Sequence, residues 1–339
     1  MIHHSLPVGK LDPEFLKQVV FGCLGASDSR VIVGPRIGED AAVIDFKDKA
    51  LVIHSDPITG AVENIGWLTV NICANDIATR GVRPLWMLVV MLLPQNIAST
   101  QLKHITSQID EAAKKLGIAI IGGHSEFTIG IKRPILIATA LGEAEKKRLV
   151  SSSGAKIGDS IIVTKGAAIE GTAILSTELA ELLETKIGKS LIQNAQKFIK
   201  RISVVEDALT AIEVGGVHAM HDATEGGIAA CLQEIAWASN LGIVAYEERI
   251  PIYEETKAVC DALNIDPLKT ISSGSLIISA QPEKAEEIVD ALKEKDIQAS
   301  VIGKTVDKQE GSYIFRRDGT KLDLSKPVKE ELWRALGEA

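Results

Sequence analysis

Residues 70–78 read Val-Asn-Ile-Cys-Ala-Asn-Asp-Ile-Ala, an apolar helical run with a carboxylate inside it. The run falls in a predicted helix from Ala61 to Arg80, closed by Gly81 where a left-handed residue ends a helix. Asp76 sits beside Ile72, Ile77 and Ala78, an odd place for a merely solvated acid. Upstream, Val43-Ile44 and Leu51-Val52-Ile53 read as strands about a polar turn at Lys47-Asp48-Lys49. Downstream, Trp86 to Leu93 reads as a buried strand. Leu102, Ile105, Ile109, Ala112 and Leu116 mark one face of a helix ended by Gly117. Ile118–Ile121 and Pro134–Leu141 read as strands. Before all of these, Asp12 and Pro13 suit a helix start, with Phe15, Leu16, Val19 and Val20 as its apolar stripe.

The polar stretch Gly142–Gly158, with three consecutive serines, reads as a domain boundary. It divides a first domain, 1–145, from a second, 155–339. In the second, strands are expected at 160–164, 217–220, 243–247, 275–279, 298–303 and 312–316. Helices are expected near 171–184, 189–201, 204–214, 226–240 and 283–295. Helices and strands alternate, so the class is α/β or α+β. With 339 residues, 46% hydrophobic and 24% charged, the chain is long and apolar enough for two packed domains.

A net charge of -8 argues against a nucleic-acid binder, which needs a basic field. No apolar run is long enough to span a bilayer, and the first residues carry no secretory h-region, so a cytoplasmic protein is expected. The cysteines Cys23, Cys73, Cys231 and Cys260 form no CxxC pair and read as reduced core thiols. Ile187-Gly188-Lys189-Ser190 imitates the end of a P-loop, but Leu183 stands where the first glycine is required. No GxGxxG supports a dinucleotide site.

Four acidic segments lie at predicted strand or helix ends: Gly38-Glu39-Asp40-Ala41-Ala42, Ser55-Asp56-Pro57, Asn75-Asp76 and Gly122-Gly123-His124-Ser125-Glu126. Their carboxylates suit magnesium, a hard cation that also takes phosphate oxygens. Each alone reads better as a turn or a solvated surface; Gly122-Gly123, for example, could simply relieve backbone strain. A fifth segment, His221-Asp222-Ala223-Thr224-Glu225-Gly226-Gly227, opens a helix. It reads either as a cap, with Asp222 or Thr224 capping, or as an anion site built from backbone N–H groups. His124 is the one histidine expected in a site.

Taken in order, these segments, with Val70–Ala78, Gly81 and Pro84, resemble the superfamily of aminoimidazole ribonucleotide synthetase. HypE, thiamine monophosphate kinase and selenophosphate synthetase belong to it too. Asp-Ala-Thr-Glu-Gly-Gly-Ile-Ala at 222–229 and Ile-Ser-Ser-Gly-Ser-Leu at 271–276 are most similar to HypE and its paralogues. The resemblance implies an α/β first domain and an α+β second domain. It implies a homodimer whose first-domain sheets join into a barrel, with ATP in clefts along that interface. Asp40, Asp56, Asp76 and Glu126 would hold magnesium. Asp40, Asn75, Gly122, Gly123, His124, Asp222, Thr224, Gly226 and Gly227 would line the ATP site. The implied chemistry is phosphoryl transfer to a carbonyl or amide oxygen of a small-molecule or carbamoyl-type acceptor, with hydrogenase-maturation proteins as partners. A small-molecule kinase and a non-catalytic nucleotide-binding scaffold are the alternatives. HypE carries its substrate on a cysteine of its own C-terminal tail; the last cysteine here is Cys260.

Overall fold

The computed structural model describes residues 13–21, 23–59 and 63–337. Its first half is one six-stranded sheet in the order β1-β2-β3-β6-β4-β5. After α1 (Pro13–Phe15), the strands and helices are β1 (Val31–Val33), β2 (Ala42–Phe46), β3 (Lys49–Ile58), α2 (Ile65–Ala78), β4 (Pro84–Leu93), α3 (Ser99–Leu116), β5 (Ala119–Phe127) and β6 (Ile135–Glu145). Neighbours pair antiparallel except β4 with β5. Alternation along β6 puts Leu136, Ala138 and Ala140 on the buried face, against α2. Helix α2 is buried nearly all round, which explains why the sequence there lacks a polar face.

The second half is a seven-stranded sheet, β13-β12-β9-β11-β7-β10-β8. It comprises β7 (Ser160–Thr164), α4 (Ile169–Glu178), α5 (Ala180–Ile187), α6 (Lys189–Gln196), α7 (Val205–Val214), β8 (Val217–Asp222), α8 (Gly227–Ser239), β9 (Gly242–Tyr246), α9 (Glu254–Leu263), β10 (Leu276–Ala280), α10 (Pro282–Glu294), β11 (Ala299–Val306), β12 (Tyr313–Phe315), β13 (Lys321–Asp323) and α11 (Leu332–Ala335). One apolar cluster joins α2 and the first sheet to α7, α10 and the second sheet. Asn75 ties the halves further. Its amide donates to the Ile202 carbonyl at 2.9 Å, and its carbonyl accepts from the Val204 amide at 2.8 Å.

Several expectations need correction. The helix at 13–20 is one short α turn followed by a π turn, and Val19 and Val20 lie exposed rather than on a buried stripe; Asp12 lies outside the described residues. The helix expected from Ala61 begins at Ile65. The single helix expected at 171–184 is two, broken at Leu179, and α9 has no counterpart among the predicted helices. Ser55-Asp56-Pro57 is strand, not loop. Beyond Ile53, β3 pairs only with β6, so a proline without an N–H is tolerated on the free side. Gly122–Glu126 is also strand. Gly123 sits at φ 142°, and a Cβ there would stand 1.8 Å from the Val89 carbonyl, so the glycine lets β5 lie close against β4. Cys23 is exposed, not a core thiol.

Candidate functional site

Four elements deliver carboxylates to one buried place where the two sheets meet. Asp40 comes from the loop before β2, Asp56 from β3, Asp76 from α2 and Asp222 from the end of β8. Ligand atoms of Asp40, His221 and Asp222 all lie within 4.8 Å of one another. His221, absent from the sequence-derived site, is its pivot: Nδ1 lies 3.0 Å from Asp40 Oδ1, and Nε2 lies 3.0 Å from Glu234 Oε2 on α8. The available signal was its place directly before Asp222, at the end of a strand whose last four residues are all buried.

The loop holding Asp40 is fixed by groups that read as linker. Ser152 Oγ donates to Asp40 Oδ2 at 3.1 Å, while Ser151 and Ser153 each donate to Glu39 at 2.7 Å. Arg80, wholly buried just past α2, meets Glu39 Oε2 at 2.5 Å. Gly38 allows the approach: at φ 79°, its place would put a Cβ 2.9 Å from the Glu234 carbonyl.

The electrostatics are those of an acidic pocket short of positive charge. Burial alone would raise Asp40, but the His221 imidazole beside it outweighs that and holds the carboxyl at about 2. Burial likewise opposes charge on His221, and Asp40 reverses it, lifting the imidazole well above its ordinary value. Asp76 has weaker allies: His54 Nε2 stands 3.4 Å from Asp76 Oδ2, and His221 acts on it from farther off. Burial first, then Asp222, Asp40 and Asp56, push its carboxyl well above the usual range. Both carboxylate oxygens of Asp222 are buried without a hydrogen-bond partner. Buried carboxylates are normally bonded or bound to a metal, so this donor set fits a hard divalent cation.

The remaining sequence-derived residues lie elsewhere or play other parts. Asn75 is engaged by the second domain's backbone, as above. Gly122, Gly123, His124 and Glu126 lie on β5, the sheet edge, three strand spacings or about 14 Å from β3. There the exposed His124 imidazole and Glu126 carboxylate face each other at 3.3 Å. Thr224 does not cap α8 with its side chain. Its carbonyl accepts from Gly227 and Ser272, and the Gly226 amide donates to the Glu330 carboxylate. The backbone expected to hold an anion thus already holds one from this chain.

The family model for the AIR synthase related protein N-terminal domain matches residues 38–144, and that for its C-terminal domain matches 156–316. The chain belongs to the AIR synthase related family. Within it, a Methanocaldococcus jannaschii protein named for hydrogenase expression/formation is 30% identical over 333 residues, 96% of each chain. Carbamoyl dehydratase HypE of Escherichia coli is 28% identical over 283 residues, covering 82% of this chain and 81% of that one. Among solved structures, HypE in a HypE–HypF complex superposes with a TM-score of 0.76 at 23% identity, covering 92% of this chain and 99% of that one. HypE in complex with ATP gives 0.73 at 23%, covering 95% and 94%. The AIR synthase related fold, two mixed α and β domains, is therefore that of this chain. Among its described residues no helix is long and apolar enough to cross a membrane.

Proposed function

We propose that this chain is a HypE-like enzyme. It binds magnesium-ATP between its two domains and transfers the γ-phosphoryl group to a carbonyl or amide oxygen. One observation supports the reading: carboxylates from both domains converge in a buried pocket where neither oxygen of Asp222 is hydrogen-bonded and His221 Nδ1 stands 3.9 Å off. Asp40, Asp56, Asp76 and Asp222 would hold the cation, which supplies charge neutralisation for the phosphates when bound. His221 fixes the rotamer of Asp40, and Glu39, Ser151 and Ser153 hold its loop. The Escherichia coli relative's name, carbamoyl dehydratase, favours a carbamoyl-type acceptor. Cys260 is buried, and burial first, then Asp266, pushes its thiol up to about 12, so it is a poor carrier. We take the acceptor to be a small molecule or to arrive on a partner, with hydrogenase-maturation proteins the expected partners.

Isothermal titration should show Mg-ATP binding to wild type and at least tenfold weaker binding to Asp76→Asn. Equal affinity in both would remove the pocket from the nucleotide site. A kinase with a small-molecule substrate predicts a phosphorylated product in place of a dehydrated one, and product mass separates the two.

We also infer a dimer formed through β5. That edge strand exposes Ile120, Ile121 and Phe127, and an apolar edge of this length demands cover. A second copy would also bring His124 and Glu126 toward a nucleotide cleft. Ile121→Asp should yield monomers in light scattering; an unchanged mass in that variant would exclude this edge.

A further inference from the structure

Glu170 stands in the first turn of α4, 3% exposed, with no partner for Oε2. The Ser273 hydroxyl faces it from the loop before β10, yet Ser273 Oγ completes no well-formed hydrogen bond either. Both groups are held rigidly. Gly171 donates to the Ile271 carbonyl at 2.9 Å, Ile169 donates to Ser272 Oγ at 3.3 Å, and a Cβ at Gly171 would meet Thr270 at 2.4 Å. The charged groups acting on Glu170 are all acidic: Glu330 from the strap before α11, Glu225 from the loop before α8, and Asp56 from the first domain. Asp56, which also acts on Asp76, links Glu170 electrostatically to the carboxylate pocket. A structural glutamate so deeply buried would have both oxygens bonded; an open Oε2 beside a hydroxyl that makes no well-formed hydrogen bond has the form of a site awaiting a polar ligand.

We propose that Glu170, seconded by Ser273, is a catalytic proton acceptor for an amide-bearing acceptor. This rests on the function proposed above. As the amide oxygen attacks the γ-phosphorus, the O–P bond forms and the bond from phosphorus to the β,γ-bridging oxygen breaks, releasing ADP. The amide N–H electron pair becomes the second bond of C=N, and its proton passes to the Glu170 carboxylate. An O-phosphoryl imidate results, with every charge accounted for. The carboxyl is suited to that role. Burial foremost, with Glu330, Glu225 and Asp56 added and Ser273 opposing, places it at about 7, where a carboxylate is both present and basic at neutral pH.

The test uses the full-length dimer or monomer as purified, Mg-ATP, and S-carbamoylcysteine as amide probe. Glu170→Gln should bind Mg-ATP within twofold of wild type and melt no lower than wild type, while probe-dependent ADP release falls at least 100-fold. In wild type that release should rise with pH through about 7, because the base must be ionised; the variant's residual rate should lose the inflection. Infrared difference spectra of ¹³C-glutamate-labelled protein should show a protonated carboxyl titrating there, absent from Glu170→Gln. Probe-dependent release within threefold of wild type, or an unchanged inflection, overturns the role of Glu170 alone. Wild type that binds Mg-ATP but releases no ADP with the probe refutes the amide acceptor and the proton transfer together. Failure to bind Mg-ATP refutes the parent reading.

Discussion

Asp222→Asn should make the ligand-free protein more stable and the enzyme nearly inactive. The wild-type carboxylate is wholly buried, neither oxygen is hydrogen-bonded, its ion pair with His221 is long at 3.9 Å, and it is the foremost charged neighbour raising Asp76. An amide of the same shape removes that repulsion and desolvation cost, about 1–3 kcal/mol. At this chain length that corresponds to a melting temperature higher by a few degrees. The same change deletes a cation ligand, and the loss at the phosphoryl-transfer step should be about 10²- to 10³-fold, typical of one missing electrostatic group. Scanning calorimetry without nucleotide and ADP release with Mg-ATP read the two effects separately. A ligand-free protein that melts several degrees lower would mean Asp222 is a structural partner, and the cation site would have to be sought elsewhere.

Arg80→Met should be the most destabilising single change near the site. Its guanidinium is fully buried against Glu39, and removing one member of a buried pair leaves the other charged and unsolvated, at a cost of about 3–5 kcal/mol. The double variant Glu39→Gln with Arg80→Met should recover most of that in urea unfolding, since neither side then keeps a stranded charge. The pH dependence has a definite sign. Burial raises the Glu39 carboxyl, but Arg80, Ser153 and Ser151 together bring it below its ordinary 4.5. A depressed folded-state value gives stability that is complete above 4.5 and lost as pH falls through the lowered value. The gap between wild type and Arg80→Met should therefore be widest near neutrality and shrink in acid. A gap that widens in acid would show that the pair is not ionised in the fold.

Asp40, Asp56 and Asp76 were legible as cation ligands, and Asp222 as a cleft residue, because they fall in an ordered series of motifs; only Asp76 stood out by its apolar neighbours. Their partners were not. Ser151–Ser153 have the composition of a linker, and only the folded chain turns them onto Glu39 and Asp40. His221 reads as one more strand residue until Asp40 and Glu234 close on its two nitrogens. Glu170 lies in a stretch that is buried all round rather than on one face, and nothing in its sequence neighbours announces that Oε2 is left without a hydrogen bond. The segment Gly122–Glu126 misleads in the other direction. Two glycines before polar residues carry a loop's local preference, but pairing with β4 supplies the backbone bonds, and tertiary pairing outweighs propensity in strands.

By itself the sequence determined the alternation of strands and helices, and it put forward Asp40, Asp56 and Asp76 as candidate cation ligands, together with Glu126, which the fold leaves on β5. Periodicity and turn residues act over a few positions, so they are written locally. The tertiary structure alone decided that α2 lies wholly buried, that Asn75 and the Ser151–Glu39 contact join distant parts of the chain, and that β5 is left as a bare edge. Those outcomes depend on contacts between residues more than a hundred positions apart, where no local pattern records which groups will meet.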